Sequence, residues 1–120
     1  MSYVSTTYRS YVGRSVGDGE CVAYVKAAAS APATSAWRRG ARVRDSEDLA
    51  AGTAIATFSA DGHYENVSGR SHVAIFVALD DDGIRVCDQW RNHPVAERLI
   101  RFDNPGGGAS NDGDAFYVVT

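Results

Sequence analysis

Apolar residues follow one helical pattern near the N-terminus and strand-like patterns in the rest of the chain. Segment 20–30 (ECVAYVKAAAS) is rich in alanine and places Val25 and Ala29 at helical spacing. A proline two residues beyond this segment ends the pattern, so we predict one helix here. Residues 1–19 are rich in tyrosine and glycine and are predicted to form a loop that leads into the helix. Residues 33–52 predict a short helical turn and an irregular connection.

Five later segments have the apolar, β-branched character of strands: 53–58, 72–79, 84–90, 95–102 and 115–119. The sequence Asp-Asp-Asp-Gly at 80–83 predicts a hairpin turn, so the strand after it returns antiparallel to the one before it. A Gly/Asn/Asp-rich loop separates the last two segments. The sequence therefore predicts an α+β fold, with one main N-terminal helix packed on an antiparallel sheet of about five strands. We expect residues 1–120 to form a single domain.

The strand that begins at His72 is apolar on both faces, which is typical of a central strand. His72, Ala74 and Ala78 share one face. The two alanines leave room for a helix to approach, so we expect the helix on this face, with His72 beside it. Pairing across the hairpin turn brings Asp88 opposite residues 74–75, within reach of His72.

Composition limits the possible functions. The chain has 120 residues, 44% hydrophobic and 22% charged, with a net charge of −3. This charge argues against nucleic-acid binding, because phosphate recognition needs clustered cations. No apolar run approaches the roughly 18 residues that span a bilayer, so no membrane partner is expected. The first twenty residues lack an apolar stretch, so no signal peptide is predicted. We expect synthesis in the cytoplasm and export by a machine that reads no N-terminal signal.

One cysteine, one histidine and one aspartate lie at positions that suggest nucleophilic catalysis. Cys21 opens the predicted helix, where the helix dipole stabilises a thiolate. His72 and Asp88 supply a base and an orienting carboxylate, as a cysteine amidase or peptidase requires. Taken singly, the cysteine and the histidine would more often be core residues; their convergence favours catalysis. Cys87 is expected to be a packed strand residue that forms no disulfide. No CxxC or HxxxH spacing indicates a metal site, and no cofactor is expected.

Four segments of the chain resemble the CHAP and NlpC/P60 amidases, which are papain-like cysteine hydrolases of bacterial peptidoglycan. The match is closest to a compact branch that is similar to type VI secretion amidase effectors. The resemblance implies that Cys21, His72 and Asp88 are catalytic, with Gln89 as the reserve for the third position. Trp90, Gln89 and Glu20 are expected to bind substrate. The segments that carry the resemblance are GECVA (19–23), LAAGTAIA (49–56), SHVAIF (71–76) and VCDQW (86–90).

The resemblance also implies a biological role. The expected reaction is hydrolysis of an amide bond in the stem peptide or cross-link of peptidoglycan, by an antibacterial type VI secretion effector acting in the periplasm of a target cell. The expected partners are a peptidoglycan peptide, a cognate immunity protein and a component of the secretion apparatus. Three alternatives stay open: a housekeeping or phage cell-wall hydrolase, a non-catalytic binding module of the same fold, and an acyl transferase with the same triad.

Overall fold

A computed structural model describes residues 2–67 and 70–120 of the chain. Within these residues one α-helix packs on a six-stranded sheet in which all neighbours are antiparallel, with the order β1-β6-β2-β3-β4-β5. The predicted α+β class is confirmed. The elements are α1 Cys21–Ala29, β1 Arg39–Arg42, β2 Ala54–Thr57, β3 Val73–Asp80, β4 Gly83–Trp90, β5 His93–Arg101 and β6 Phe116–Val119.

Strand β1 lies in the region that the sequence predicted to be irregular. It pairs with β6 at the edge of the sheet, with Arg39 opposite Val119. Its four residues carry no apolar alternation, so the strand forms through its partner rather than through its own pattern. Gly40 permits the close approach, because a Cβ atom there would lie 2.7 Å from the carbonyl oxygen of Val118.

Helix α1 begins directly after Glu20, whose backbone is extended at φ −80° and ψ 157°. It ends at Ala29 and is followed by Ser30, which adopts the left-handed conformation that commonly terminates helices. The helix is one residue shorter at each end than predicted, within the usual uncertainty of helix boundaries. Its buried face includes Tyr24 and Val25 and packs against the sheet. The first helical residue is Cys21, one position after the start of the predicted segment, so the thiol lies at the helix N-terminus.

The face of β3 that the helix covers differs from the expectation. The helix packs on the face of Val73 and Ile75, whereas Ala74 belongs to the apolar cluster on the opposite face of the sheet. Ala54 and Ala56 of β2 belong to the same cluster as the buried face of the helix. The prediction was wrong because β3 is apolar on both faces, so its own pattern does not select the one that the helix covers.

The hairpin of β3 and β4 forms as predicted. Ile75 pairs with Cys87, so the next residue of β4, Asp88, is level with the N-terminal end of β3. The turn is closed by a hydrogen bond of 2.8 Å from the backbone N–H of Asp82 to the Asp80 carboxylate. In the described ranges, no helix is both long and apolar enough to cross a bilayer.

Candidate active site

Cys21 and His72 both line a cleft of about 790 Å³ at the end of the sheet where α1 begins. One wall is the outer flank of the helix, which contributes Val22 and Lys26. The opposite side includes Trp90 at the end of β4, together with residues of β5 and the loop that follows it. A partly exposed thiol at the start of a helix thus faces a concave surface large enough to hold a peptide segment.

His72 is held from two sides at the end of β3. Its Nε2 atom lies 2.7 Å from Oδ2 of Asp88, whose side chain is fully buried. Its backbone N–H donates to the Thr57 hydroxyl at 3.0 Å. The ring also meets Phe116 edge to face, with centroids 6.4 Å apart. The side chain is 8% exposed, so the imidazole has little freedom to rotate away from Asp88.

Cys21 and His72 line the same cleft, close enough for each to shift the pKa of the other. Burial alone would raise the pKa of the Cys21 thiol. Hydrogen bonding to His72 and the charge of His72 outweigh burial and lower this pKa below its ordinary value. The Val73 backbone and Tyr64 contribute smaller effects in the same direction. Burial likewise opposes the charge on His72, but Asp88 and Cys21 raise its pKa to about 9. These opposite shifts favour a thiolate–imidazolium pair.

Tyr64 is a neighbour of the thiol that the sequence reasoning missed. Its hydroxyl lies 3.9 Å from Sγ of Cys21, and its ring packs on Trp37 at a centroid distance of 5.1 Å. Burial, followed by the charge of Cys21, raises the pKa of Tyr64, so the hydroxyl stays protonated and able to donate a hydrogen bond. Tyr64 comes from a polar loop without periodicity, where no sequence signal distinguishes it from its neighbours.

Gln89 does not take the third catalytic position, for which it was the predicted alternative to Asp88. Asp88, not Gln89, contacts His72. The buried Gln89 amide bonds to backbone atoms before the helix: its Oε1 accepts from the Val16 N–H at 2.8 Å, and its Nε2 donates to the carbonyls of Val16 and Glu20 at 2.9 and 2.8 Å. Gln89 therefore anchors the loop that places Cys21. Because these backbone bonds occupy both ends of its amide, the side chain does not point into the cleft.

The two other residues predicted to bind substrate, Glu20 and Trp90, both line the cleft. The Glu20 carboxylate is exposed and lies 3.5 Å from Nε of Arg91. Trp90 is 39% exposed and stacks on His93 with a centroid distance of 3.8 Å. Both side chains are therefore within reach of a molecule that occupies the cleft.

Arg98 on β5 is a second residue that sequence reasoning missed. Its Nε and Nη2 atoms both lie 2.9 Å from Oδ2 of Asp88. Arg98 lies opposite Val86 of β4, two residue pairs along the strands from Asp88. Extending the predicted antiparallel register from β4 to the next strand would have placed this arginine near the carboxylate.

Cys87 behaves as predicted for a packed strand residue. It is fully buried in the cluster under the helix, and both cysteines are free. Burial, with the nearby charge of Glu97, raises the pKa of its thiol to about 11. The two cysteines thus have opposite chemical character. Among residues 2–67 and 70–120, no three His, Cys, Asp or Glu side chains are grouped as a metal site would require.

Comparison with known proteins identifies the family. The family model described as domesticated amidase effector 2 matches residues 2–119. The chain belongs to this family. A type VI secretion amidase effector 2 protein of Salmonella typhi is 30% identical over 112 residues, covering 83% of this chain and 84% of that protein. Domesticated amidase effector 2 of Ixodes scapularis is 39% identical over 104 residues, covering 83% of this chain and 70% of that protein.

A solved structure agrees with both relatives. The structure of a type 6 secretion amidase effector 2 has a TM-score of 0.85 with 32% identity, covering 98% of this chain and 93% of that one. The predicted resemblance to type VI amidase effectors is thereby confirmed. The wider grouping with CHAP and NlpC/P60 amidases stays a prediction.

Proposed function

We propose that this chain is a peptidoglycan amidase that hydrolyses an amide bond in the stem peptide or cross-link. Cys21 is the nucleophile, His72 the acid and base, and Asp88 the group that orients His72. This assignment makes the chain a cysteine hydrolase, and we group it with the papain-like CHAP and NlpC/P60 enzymes.

The observation that carries the proposal is that Cys21 and His72 line one cleft and that a buried Asp88 bonds to His72. A thiol with a lowered pKa next to an imidazole with a raised pKa is the arrangement that makes a cysteine reactive at neutral pH. Membership of an amidase effector family agrees with that chemistry. A binding module would have no need of this arrangement.

Acylation begins when the Cys21 thiolate attacks the carbonyl carbon of the substrate amide. The carbonyl oxygen becomes negatively charged and needs donors. The backbone N–H of Cys21 has no partner within the helix, because it belongs to the first turn. The Tyr64 hydroxyl is a second donor beside the sulfur. One such donor typically contributes about 3 kcal/mol to transition-state stability.

The imidazolium of His72 completes acylation by giving its proton to the leaving amine, which departs as the C–N bond breaks. The product is a thioester on Cys21. Neutral His72 then accepts a proton from water, and the resulting hydroxide attacks the thioester carbonyl. The carboxylic product leaves and the thiolate–imidazolium pair is restored. Asp88 keeps the imidazole oriented in both steps.

The names of the relatives support a proposal about delivery and partners. The Salmonella typhi relative is named a type VI secretion effector. We propose the same route here, with a component of the secretion apparatus as partner, action in the periplasm of a target bacterium, and an immunity protein in the producer.

The site of action can be tested by expressing the chain with and without a periplasmic signal in a Gram-negative host. Periplasmic chain should cause lysis, because cutting stem or cross-link amides weakens the wall against turgor. Cytoplasmic chain should be tolerated, because its substrate is absent there. Cys21→Ala should abolish lysis, because removing a nucleophile that acts as part of a unit removes most of the rate enhancement.

Cys87→Ala is the matched control, because it removes the other thiol and leaves the cleft intact. It should lyse like the unsubstituted chain. Toxicity from the cytoplasm, or periplasmic lysis that survives Cys21→Ala, would contradict the proposal.

A further inference from the structure

Arg98 joins the candidate catalytic centre to the wall of the cleft. Its Nε atom lies 3.2 Å from Oδ1 and 2.9 Å from Oδ2 of Asp88, and Nη2 lies 2.9 Å from the same Oδ2. Its Nη1 donates to Oδ1 of Asn111 at 3.2 Å, and its guanidinium carbon lies 5.0 Å from the centre of the Trp90 ring. One side chain thus connects Asp88 with two residues that line the cleft.

We propose that Arg98 is a positioning residue that fixes the Asp88 carboxylate in the orientation in which it holds His72 toward Cys21. This inference rests on the proposed function, because it assigns Arg98 a part in the same reaction. Arg98 acts through Asp88 and does not touch the reacting atoms.

Burial is the first argument. The Asp88 side chain is 0% exposed, and a buried carboxylate is costly unless it is paired and hydrogen-bonded. His72 bonds to Oδ2 and leaves Oδ1 without a bond from the imidazole. The guanidinium contacts both oxygens and so prevents the carboxylate from rotating about its own axis. With one partner alone, Asp88 could still turn away from the imidazole.

The strand geometry is the second argument. Asp88 and Arg98 come from adjacent strands, β4 and β5, whose pairing runs from Gly83 opposite Arg101 to Trp90 opposite His93. Arg98 is therefore fixed at its backbone as firmly as Asp88 is. A planar two-point contact between two rigid strands specifies an orientation that a flexible surface ion pair does not.

Substitution of Arg98 can separate positioning from charge. If Arg98 acted only through its positive charge, Arg98→Gln would strengthen the attraction of Asp88 for the His72 imidazolium, and alkylation of Cys21 would be as fast or faster. If Arg98 positions Asp88, the same change loosens the contact between His72 and Cys21. Alkylation of Cys21 at pH 7 should then slow several-fold.

Hydrolysis of a soluble cross-linked muropeptide should fall more steeply, by about 10²-fold in kcat, because a misplacement of about 1 Å has that effect on a reaction that needs alignment. Arg98→Lys keeps a cation but loses the two-point contact, so it should restore only part of the rate. Arg85→Gln is the matched control: Arg85 pairs with Asp80 at the far end of β4, 3.2 Å apart, and should leave both rates unchanged.

A double-substitution cycle with Asp88→Asn tests the route of the effect. If Arg98 acts through Asp88, Arg98→Gln should change alkylation less than twofold in the Asp88→Asn background. The inference would be overturned if alkylation in Arg98→Gln alone were unchanged or faster. It would also be overturned if the effects of Arg98→Gln and Asp88→Asn on alkylation multiplied in the double variant. Thermal unfolding of each variant identifies loss of folding, and Arg98→Lys provides the comparison if Arg98→Gln does not fold.

The alkylation measurement needs no substrate, so it separates this inference from the proposed function. A chain whose alkylation depends on Arg98 but that hydrolyses no muropeptide would disprove the amidase assignment and leave the positioning role intact. If Arg98→Gln hydrolysed muropeptide at the full rate, the amidase assignment would stand and the positioning role would be disproved.

Discussion

The two cysteines should react with an alkylating reagent at very different rates in the folded chain. At pH 7, a thiol with a pKa of about 11, as in Cys87, is thiolate in about 10⁻⁴ of molecules. The pKa of Cys21 is lowered below that of an ordinary thiol, so its thiolate fraction exceeds about 10⁻². The lower-pKa thiolate is intrinsically less nucleophilic, which offsets about tenfold of this difference. Cys21 should therefore react more than about 10-fold faster from ionisation alone, and the burial of Cys87 widens the gap.

The assay is timed labelling with iodoacetamide at pH 7, followed by unfolding, labelling with an isotopic form of the reagent, and mass spectrometry of the two cysteine peptides. His72→Ala removes the largest influences that lower the pKa of Cys21 and leaves burial, which raises it. Labelling of Cys21 should slow in this variant, by about threefold for each unit by which the pKa rises above 7, because the thiolate fraction falls about tenfold while the nucleophilicity of the thiolate rises about threefold. In urea the two cysteines should react at similar rates.

Equal labelling of Cys21 and Cys87 in the folded chain would refute the reasoning. So would labelling of Cys21 that is indifferent to His72→Ala, because the imidazole would then not be the group that stabilises the thiolate.

Three further predictions concern catalysis and stability. A profile of kcat/KM against pH should be bell-shaped. Activity should rise as Cys21 loses its proton, at a pH below its ordinary pKa, and fall near pH 9 as the His72 imidazolium loses its proton. A constant kcat/KM through pH 9 and above would contradict the acid role of His72. Tyr64→Phe keeps the ring against Trp37 and should lower kcat about 10²-fold in a muropeptide assay with little change in Tm, whereas an unchanged kcat would exclude the hydroxyl as a donor. Gln89→Met should lower the free energy of unfolding, measured by urea denaturation, by about 2 to 3 kcal/mol, because three hydrogen bonds to the loop before the helix are lost. A change below about 0.5 kcal/mol would show that the loop does not depend on these bonds.

Local patterns predicted the parts of the molecule that local physics determines. The helix that begins at Cys21 follows from alanine content and apolar spacing, and the β3–β4 hairpin follows from its turn residues. Because the turn fixes the register, it also predicted that Asp88 lies near His72, and the two side chains do bond. Three residues far apart in the sequence could thus be proposed as one site.

Features that depend on non-local packing could not be predicted. Strand β1 has no apolar pattern and exists because β6 offers an edge. The face of β3 that the helix covers is set by how the helix packs on the assembled sheet, because β3 is apolar on both faces. Tyr64 reaches the thiol from a polar loop, and loop conformation is set by tertiary contacts rather than by periodicity.

The central claim is that Cys21 hydrolyses an amide bond of peptidoglycan, and digestion of purified sacculi tests it most directly. Sacculi treated with the wild-type chain and then digested with a muramidase should yield muropeptides with a new amino group or a new carboxyl group at one type of amide bond, as mass spectrometry would show by comparison with untreated sacculi. Sacculi treated with Cys21→Ala should yield none of these products, and Cys87→Ala should match the wild type. Release of the same products by Cys21→Ala, or cleavage confined to glycosidic bonds, would contradict the account.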